Sequence, residues 1–144
     1  MSARIKVDIA GFKQQLQATA DKMNQATRPA AQAGAQIIYE RAKALAPRSD
    51  YAHTFRIEGR VYGPYAPGNL RDSIYQVFSK DNSFRDVSTS PVSWNADKAP
   101  YGYAYEFGES EKGAQSFIRR AVAETRKQVR EAIKQRFIDE VNGS

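Results

Sequence analysis

Apolar side chains recur at helical spacing near both ends of the chain. The first segment has them in steps of four, four and three residues, at Phe12, Leu16, Ala20 and Met23. A second segment has a similar spacing over residues 30–45 and ends at Pro47, a residue type that stops helices. Because Pro29 suits the first turn of a helix, the pattern predicts two N-terminal helices with a break at residues 27–29.

The C-terminal segment predicts a single long helix. Its apolar residues recur mostly at steps of four and seven: Phe117 or Ile118, Val122, Val129, Ile133, Phe137 and Val141. This is the stripe of an amphipathic helix that packs one face against the rest of the protein. We expect the helix to cover about residues 116–141, with Ser116 as its N-cap and Gly143 near its end.

Three stretches between the helices have the alternation of β-strands. They cover residues 69–79, 85–94 and 101–108, and Pro91 weakens the second near its end. The third reads "YGYAYEFG", with a ring at every second position, and it places Glu106 on the face opposite the rings. Before them, residues 48–67 combine glycines, prolines and tyrosines, which predicts a long tyrosine-containing loop or hairpin.

The order of these elements predicts the fold class. We expect an α+β fold, in which a small antiparallel sheet of three or four strands packs against two N-terminal helices and one long C-terminal helix. At 144 residues the chain is expected to form a single domain, residues 1–144, large enough to bury a core without disulfides or metals.

Composition and charge limit the possible function. The chain has no cysteine, which excludes disulfides, thiolate metal sites and cysteine nucleophiles. Its N-terminus lacks the apolar core of a signal peptide and no apolar run is long enough to span a membrane, so we expect a soluble intracellular product with no membrane partner. The net charge of +6 equals the excess within residues 112–136, which contain eight basic and two acidic residues. Such a segment is either a solvated helix face or a surface for nucleic acid or an acidic protein.

Candidate catalytic residues are few. His53 is the only histidine, which leaves no histidine pair for a metal and no choice of bases for a serine nucleophile. The glycine motifs that bind phosphate are absent from the sequence. Two nearby carboxylates, Glu109 and Glu111, do acid–base work only where a pocket makes one more acidic than the other. We therefore expect no enzyme, no cofactor and no metal, and rank a small hydrolase using the carboxylates of residues 106–111 below the other functions.

The rings of "YGYAYEFG" have two interpretations. Aromatic side chains on one face of a strand can stack with the bases of single-stranded nucleic acid. They can also bury that face against helices, with the tyrosine hydroxyls at the edge. Composition favours the second interpretation, in which the rings belong to the core.

Four motifs occur in the order found in one protein family. They are "AKALAP" (residues 42–47), "GNLRDSI" (68–74), "YAYEFG" (103–108) and "FIRRA" (117–121). Together they resemble the small head–tail joining proteins of long-tailed double-stranded DNA phages, also called neck or tail-completion proteins. The chain departs from the family pattern in having one spacer residue rather than two before Glu106, and in residues 48–67, which separate motifs that the family keeps close.

The resemblance implies an architectural role. Copies of the chain would form a ring and dock between the head connector or stopper and the tail terminator or tail tube proteins. The implied location is the head–tail junction of the virion, with the host cytoplasm as the site of assembly. Non-specific contact with DNA in the channel is a further implied interaction.

A ring contact joins two different patches of neighbouring copies, so oppositely charged residues are candidates for it. The candidate assembly interface comprises Glu106, Glu109, Glu111, Arg119, Arg120, Arg126, Arg71, Tyr62 and Tyr65. We expect the glutamates of one copy to face the arginines at positions 119, 120 or 126 of another copy or partner. Alternatively, Glu106 pairs within its own subunit, for example with Arg71. Tyr62 and Tyr65 belong to residues 48–67, a candidate partner-specific arm.

The main alternative function is a small basic nucleic-acid-binding module. It would use the basic C-terminal helix and the tyrosine-rich stretch. Tight, salt-sensitive binding of free DNA would favour this alternative, whereas a ring protein should bind free DNA at most weakly and without sequence preference.

Overall fold

The computed structural model describes residues 2–84, 86–109 and 113–143. Along the chain, a series of short elements lies between two long helices. The elements follow one another as α1 (Ala10–Leu45), β1 (His53–Ile57), β2 (Arg60–Tyr65), α2 (Asn69–Ser73), β3 (Ile74–Gln76), β4 (Ser79–Phe84), β5 (Val87–Thr89), β6 (Val92–Trp94), α3 (Gly102–Phe107) and α4 (Ile118–Asn142). Long helices combined with antiparallel strands confirm the predicted α+β class.

The N-terminal helical region is one continuous helix, so the prediction of two helices is wrong. α1 passes through Pro29 without ending. Proline removes one hydrogen bond from a helix, but residues on both sides of Pro29 are held by the rest of the protein. Ala26 and Ala30 are buried, and the hydroxyls of Thr27 and Ser88 form a hydrogen bond of 2.7 Å. Tertiary contacts therefore outweigh the local preference for a break.

α4 packs antiparallel against the C-terminal part of α1. Arg41 pairs with Glu124 near the start of α4, with an Nη2–Oε2 distance of 2.6 Å. Farther along α4, Val129 and Ile133 lie against Gly34, where a Cβ would come within 2.8 Å of the Ile133 side chain. The absence of a side chain at this position lets the two helices approach closely.

The strands are antiparallel, as predicted, but within the described residues they form three two-stranded sheets instead of one sheet. The pairs are β1 with β2, β3 with β6 and β4 with β5. In the second pair, Ile74 lies opposite Trp94. The first pair is a hairpin within residues 48–67, so the hairpin interpretation of that segment is confirmed.

The stretch "YGYAYEFG" forms the short helix α3, and its prediction as a strand is wrong. A ring at every second position also gives rings four residues apart, and such pairs are neighbours on a helix. The ring centroids of Tyr101 and Tyr105 are 6.0 Å apart, and those of Tyr103 and Phe107 are 4.7 Å apart. The rings therefore lie on two sides of one helix.

The core lies at the C-terminal end of α1. Its buried cluster consists of Ala42, Leu70, Ile74, Ala99, Tyr101, Phe117 and Ala121. The β1–β2 hairpin covers this cluster, since the ring of Phe55 stacks on that of Tyr101 at a centroid distance of 4.1 Å. No helix among the described residues is both long enough and apolar enough to cross a membrane.

Glu124 links the two long helices in a pH-dependent way. Its carboxylate accepts hydrogen bonds from Arg41 at 2.7 Å and from Arg120 at 2.8 Å, which lowers its pKa below the ordinary value for glutamate. A carboxyl group whose pKa is lowered by folding stabilises the folded state above its unfolded pKa of about 4.3, and this contribution is lost as the pH falls through the folded value. We expect Glu124→Gln to lower the Tm at neutral pH, as measured by thermal unfolding. Below the unfolded pKa of glutamate, the Tm of this variant should decrease less with falling pH than that of the wild type. An unchanged acid profile would contradict the link.

Candidate functional site

Glu106 is a buried carboxylate at the start of α4. Only 1% of its surface is exposed. Its carboxylate oxygens accept hydrogen bonds from the backbone N–H groups of Phe117 at 2.8 Å, Ile118 at 3.0 Å and Arg119 at 2.8 Å. These N–H groups belong to the first turn of α4, where a helix leaves donors without internal partners and carries partial positive charge. Glu106 therefore caps α4 from a different helix.

This arrangement corrects two expectations. Ser116 is not the N-cap of α4, because the helix begins after Phe117 and no side chain of the cap residue bonds to it. Glu106 does not face another copy, because it pairs with Arg119 of its own chain at an Nε–Oε1 distance of 3.3 Å. Glu106 thus pairs within its own subunit, as the alternative expected, but its partner is not Arg71. Arg71 pairs with Asp72, at an Nε–Oδ1 distance of 2.9 Å.

Three other charged candidates have different surroundings. Arg120 pairs with Glu124 four residues farther along α4, at 2.8 Å. Arg126 is exposed on α4, and Glu109 is exposed just after α3. Glu111 lies outside the described residues. Of the predicted charged residues that the structure describes, it brings Glu106 and Arg119 into contact.

The candidate tyrosines lie in the hairpin. Tyr65 is partly buried, with its ring centroid 5.0 Å from that of Tyr101. Tyr62 is half-buried on β2 and lies opposite Phe55 of β1. Tyr65 is thus a packing residue of the core, and the hairpin is attached to the protein through its rings.

A cleft of about 300 Å³ opens between β1 and α3. Its lining includes Phe55 and Ile57 of β1 together with Tyr101, Ala104 and Tyr105, and the ring of Phe55 is in direct contact with that of Tyr101. Burial raises the pKa of Tyr101 and Tyr105 above the ordinary value for tyrosine. The cleft is thus a largely aromatic and apolar recess that can accept a few apolar side chains.

The cleft also carries charge at its edge. Glu109 and Arg56 line it, and both are exposed. The edge therefore offers one acidic and one basic group to whatever enters the cleft. The sequence analysis identified Glu109 but missed Ala104 and the three lining residues of β1, Phe55, Arg56 and Ile57, because only the tertiary fold brings the hairpin to α3.

A second notable surface is the N-terminal part of α1. Its first buried residue is Ala26, and every residue from 10 to 19 is exposed, a helical length of about 15 Å. Phe12 is 60% exposed and Leu16 is 54% exposed, and Met23 continues the same face. This face leads by steps of seven and four residues into Ala30 and Gly34, which α4 covers.

The uncovered face is a continuation of an internal helix–helix contact. Large apolar side chains in a continuous exposed patch mark surfaces that bind another protein or a membrane. We call Phe12, Leu16 and Met23 the apolar stripe. Residues 2–9, which precede α1, belong to no helix or strand and add Ile5, Val7 and Ile9, all exposed.

The outer face of α4 is basic. Arg126, Lys127, Arg130 and Lys134 are exposed and form no ion pair with the described part of the chain. Residues 126, 130 and 134 are spaced by four and lie along one side of the helix. We call these four residues the basic ridge.

Comparisons with protein-family models, with curated proteins and with solved structures give no significant match. Within residues 2–84, 86–109 and 113–143, no group of three or more histidine or acidic side chains is arranged to hold a metal. The function is therefore inferred from the surfaces of the molecule itself.

Proposed function

We propose that the chain is a structural virion protein that joins the phage head connector to the tail, acting by ring assembly and docking. Its partners would be copies of itself, a head connector or stopper, and a tail terminator or tail tube protein. It would reside at the head–tail junction after assembly in the host cytoplasm. In this role the chain carries out no chemical reaction and needs no cofactor.

The observation that carries the proposal is the uncovered N-terminal part of α1. The first ten residues of α1, about three helical turns, are all exposed, and Phe12 and Leu16 give them an apolar face that water does not stabilise. An assembly protein accounts for such a face, because it is covered only when the neighbouring subunit or partner is present.

The positions of the four motifs give further support. Ala42, Leu70, Phe117 and Ala121 come from three of them and meet in the buried cluster. The remaining motif, "YAYEFG", supplies Glu106, whose side chain caps α4 beside Phe117. The residues that carry the resemblance thus have one shared structural task, which is to join α1, α3 and α4.

The experiment that tests the proposal is disruption of the gene in the phage that encodes the chain, followed by electron microscopy of the lysate. We expect filled heads and separate tails, with joining restored when the protein is supplied. Intact infectious particles from the disrupted phage would contradict the proposal.

The basic ridge favours a second candidate function, a nucleic-acid-binding module. Four exposed cations on one helix are suited to phosphate contacts, and binding through them would weaken steeply as salt is added. Fluorescence anisotropy with labelled double-stranded and single-stranded DNA distinguishes the candidates. Nanomolar, salt-sensitive binding that is lost in Arg126→Gln/Arg130→Gln would favour this module, whereas micromolar or weaker binding agrees with the joining role.

A further inference from the structure

We propose that the N-terminal arm, residues 2–9, of one copy docks in the β1–α3 cleft of a neighbouring copy. The proposal deepens the assembly role given above, and rests on it, by naming both sides of the contact between subunits. It makes that contact heterologous, because the two sides are different patches of the same chain.

The arm presents apolar side chains that fit the cleft. Ile5 is 90% exposed and Val7 is 77% exposed, and Ile9 follows after another two residues. Side chains at alternate positions of an extended segment point to the same side. The cleft lined by Phe55, Ala104 and Tyr105 has a volume of about 300 Å³, which suits two or three aliphatic side chains and is too small for a helix with its side chains.

The charges of the two surfaces agree with this pairing. Arg4 and Lys6 alternate with the apolar residues of the arm, and Glu109 lies at the edge of the cleft. The other edge charge, Arg56, is matched by Asp8 of the arm, whose carboxylate also accepts the N–H of Ala10 at 2.9 Å. An arm with charges of both signs thus meets an edge with charges of both signs.

The arm cannot reach the cleft of its own chain. The cleft adjoins the core cluster, which contains Ala42 near the C-terminal end of α1. Ala10 and Ala42 are separated by about 48 Å along the helix, at 1.5 Å per residue. Eight fully extended residues span at most about 27 Å. The occupant of the cleft is therefore the arm of a second copy.

The contact is expected to be weak between two free copies. An arm of eight residues is much smaller than the roughly 800 Å² per partner of a standard protein interface. Closure of a ring, in which every copy both gives and receives an arm, would strengthen the contact through effective concentration. Covalent trapping is consequently a better test than the size of the free protein in solution.

The chain contains no cysteine, so single thiols can be introduced without interference. We would prepare the full chain as Val7→Cys and as Ala104→Cys, mix the two under mild oxidation and map the disulfides by mass spectrometry. Docking holds the two thiols together, so we expect mixed links between positions 7 and 104 to form roughly tenfold faster than either symmetric link. The doubly substituted chain should give a ladder of covalent multimers.

The matched control is Val7→Cys mixed with Tyr75→Cys, which places the second thiol at an exposed position on β3, outside the cleft lining. Equal yields at positions 75 and 104, or links in statistical proportion, would overturn the proposal. An intramolecular link between positions 7 and 104 would also overturn it, because the arm would then reach its own cleft. If the protein joins heads to tails but forms no disulfide between positions 7 and 104 of different copies, the docking mode is refuted and the joining role remains intact.

Discussion

Replacing Glu106 by glutamine is expected to destabilise the protein by about 2–4 kcal/mol. The carboxylate accepts three backbone N–H groups at 2.8–3.0 Å in a site that is 1% exposed. Glutamine keeps one side-chain oxygen, but its other side-chain atom is an NH₂ group, which cannot accept a hydrogen bond. At least one of the three buried backbone N–H groups is then left without an acceptor. Each buried unsatisfied donor costs about 1–3 kcal/mol, and the favourable interaction with the helix dipole is also lost.

Chemical denaturation of the purified variant measures this effect. Glu109→Gln is the matched control, since this glutamate lies three residues away and is exposed; we expect it to change stability by less than about 0.5 kcal/mol. Arg119→Ala should have a smaller effect than Glu106→Gln, because the three backbone hydrogen bonds remain. Equal stability of Glu106→Gln and the wild type would refute the capping role.

Gly102→Ala is expected to destabilise the protein by about 1–3 kcal/mol, although alanine is the better helix former. A Cβ at Gly102 would lie 2.8 Å from Cδ1 and Cε2 of Trp94 and closer still to Nε1. The indole is rigid and also packs against the ring of Phe117, at a centroid distance of 5.4 Å. Forcing an extra methyl group into such packing outweighs the helix propensity of about 1 kcal/mol.

Gly11→Ala supplies the control for this prediction. Gly11 lies in the first turn of α1, and nothing is within 4 Å of the position its Cβ would take. We expect alanine there to be neutral or slightly stabilising. A stabilising Gly102→Ala in thermal or chemical denaturation would mean that the indole of Trp94 can move aside.

The sequence was sufficient for the fold class and for α4, because these depend on periodic apolar patterns. It failed at Pro29, where the local preference of proline was outweighed by the burial of Ala26 and Ala30. It also failed at α3, where alternate rings satisfy both a strand and a short helix. The close packing of Gly102 against Trp94 belongs to the helix, and the alternation of rings does not reveal that contact.

The candidate site was predictable in part. Glu106 was singled out, but its task as a cap for α4 depends on α3 lying beside the start of α4, which no local pattern encodes. The apolar stripe was visible as a helical face, and its lack of cover was not. One signal was present in the composition: the helix has large Phe12 and Leu16 where it is uncovered and small Ala30 and Gly34 where α4 packs.

Complementation of the disrupted phage with stripe variants tests most directly the claim that the uncovered face of α1 serves head–tail joining. Phe12→Asp/Leu16→Asp places two charges on the stripe, and Gln14→Asp/Ala18→Asp places the same charges on the opposite, exposed side of the same turns. We predict that the control restores tailed particles in electron micrographs, whereas the stripe variant, folded and equally stable, leaves heads and tails separate. Equal restoration by the two variants would contradict the account.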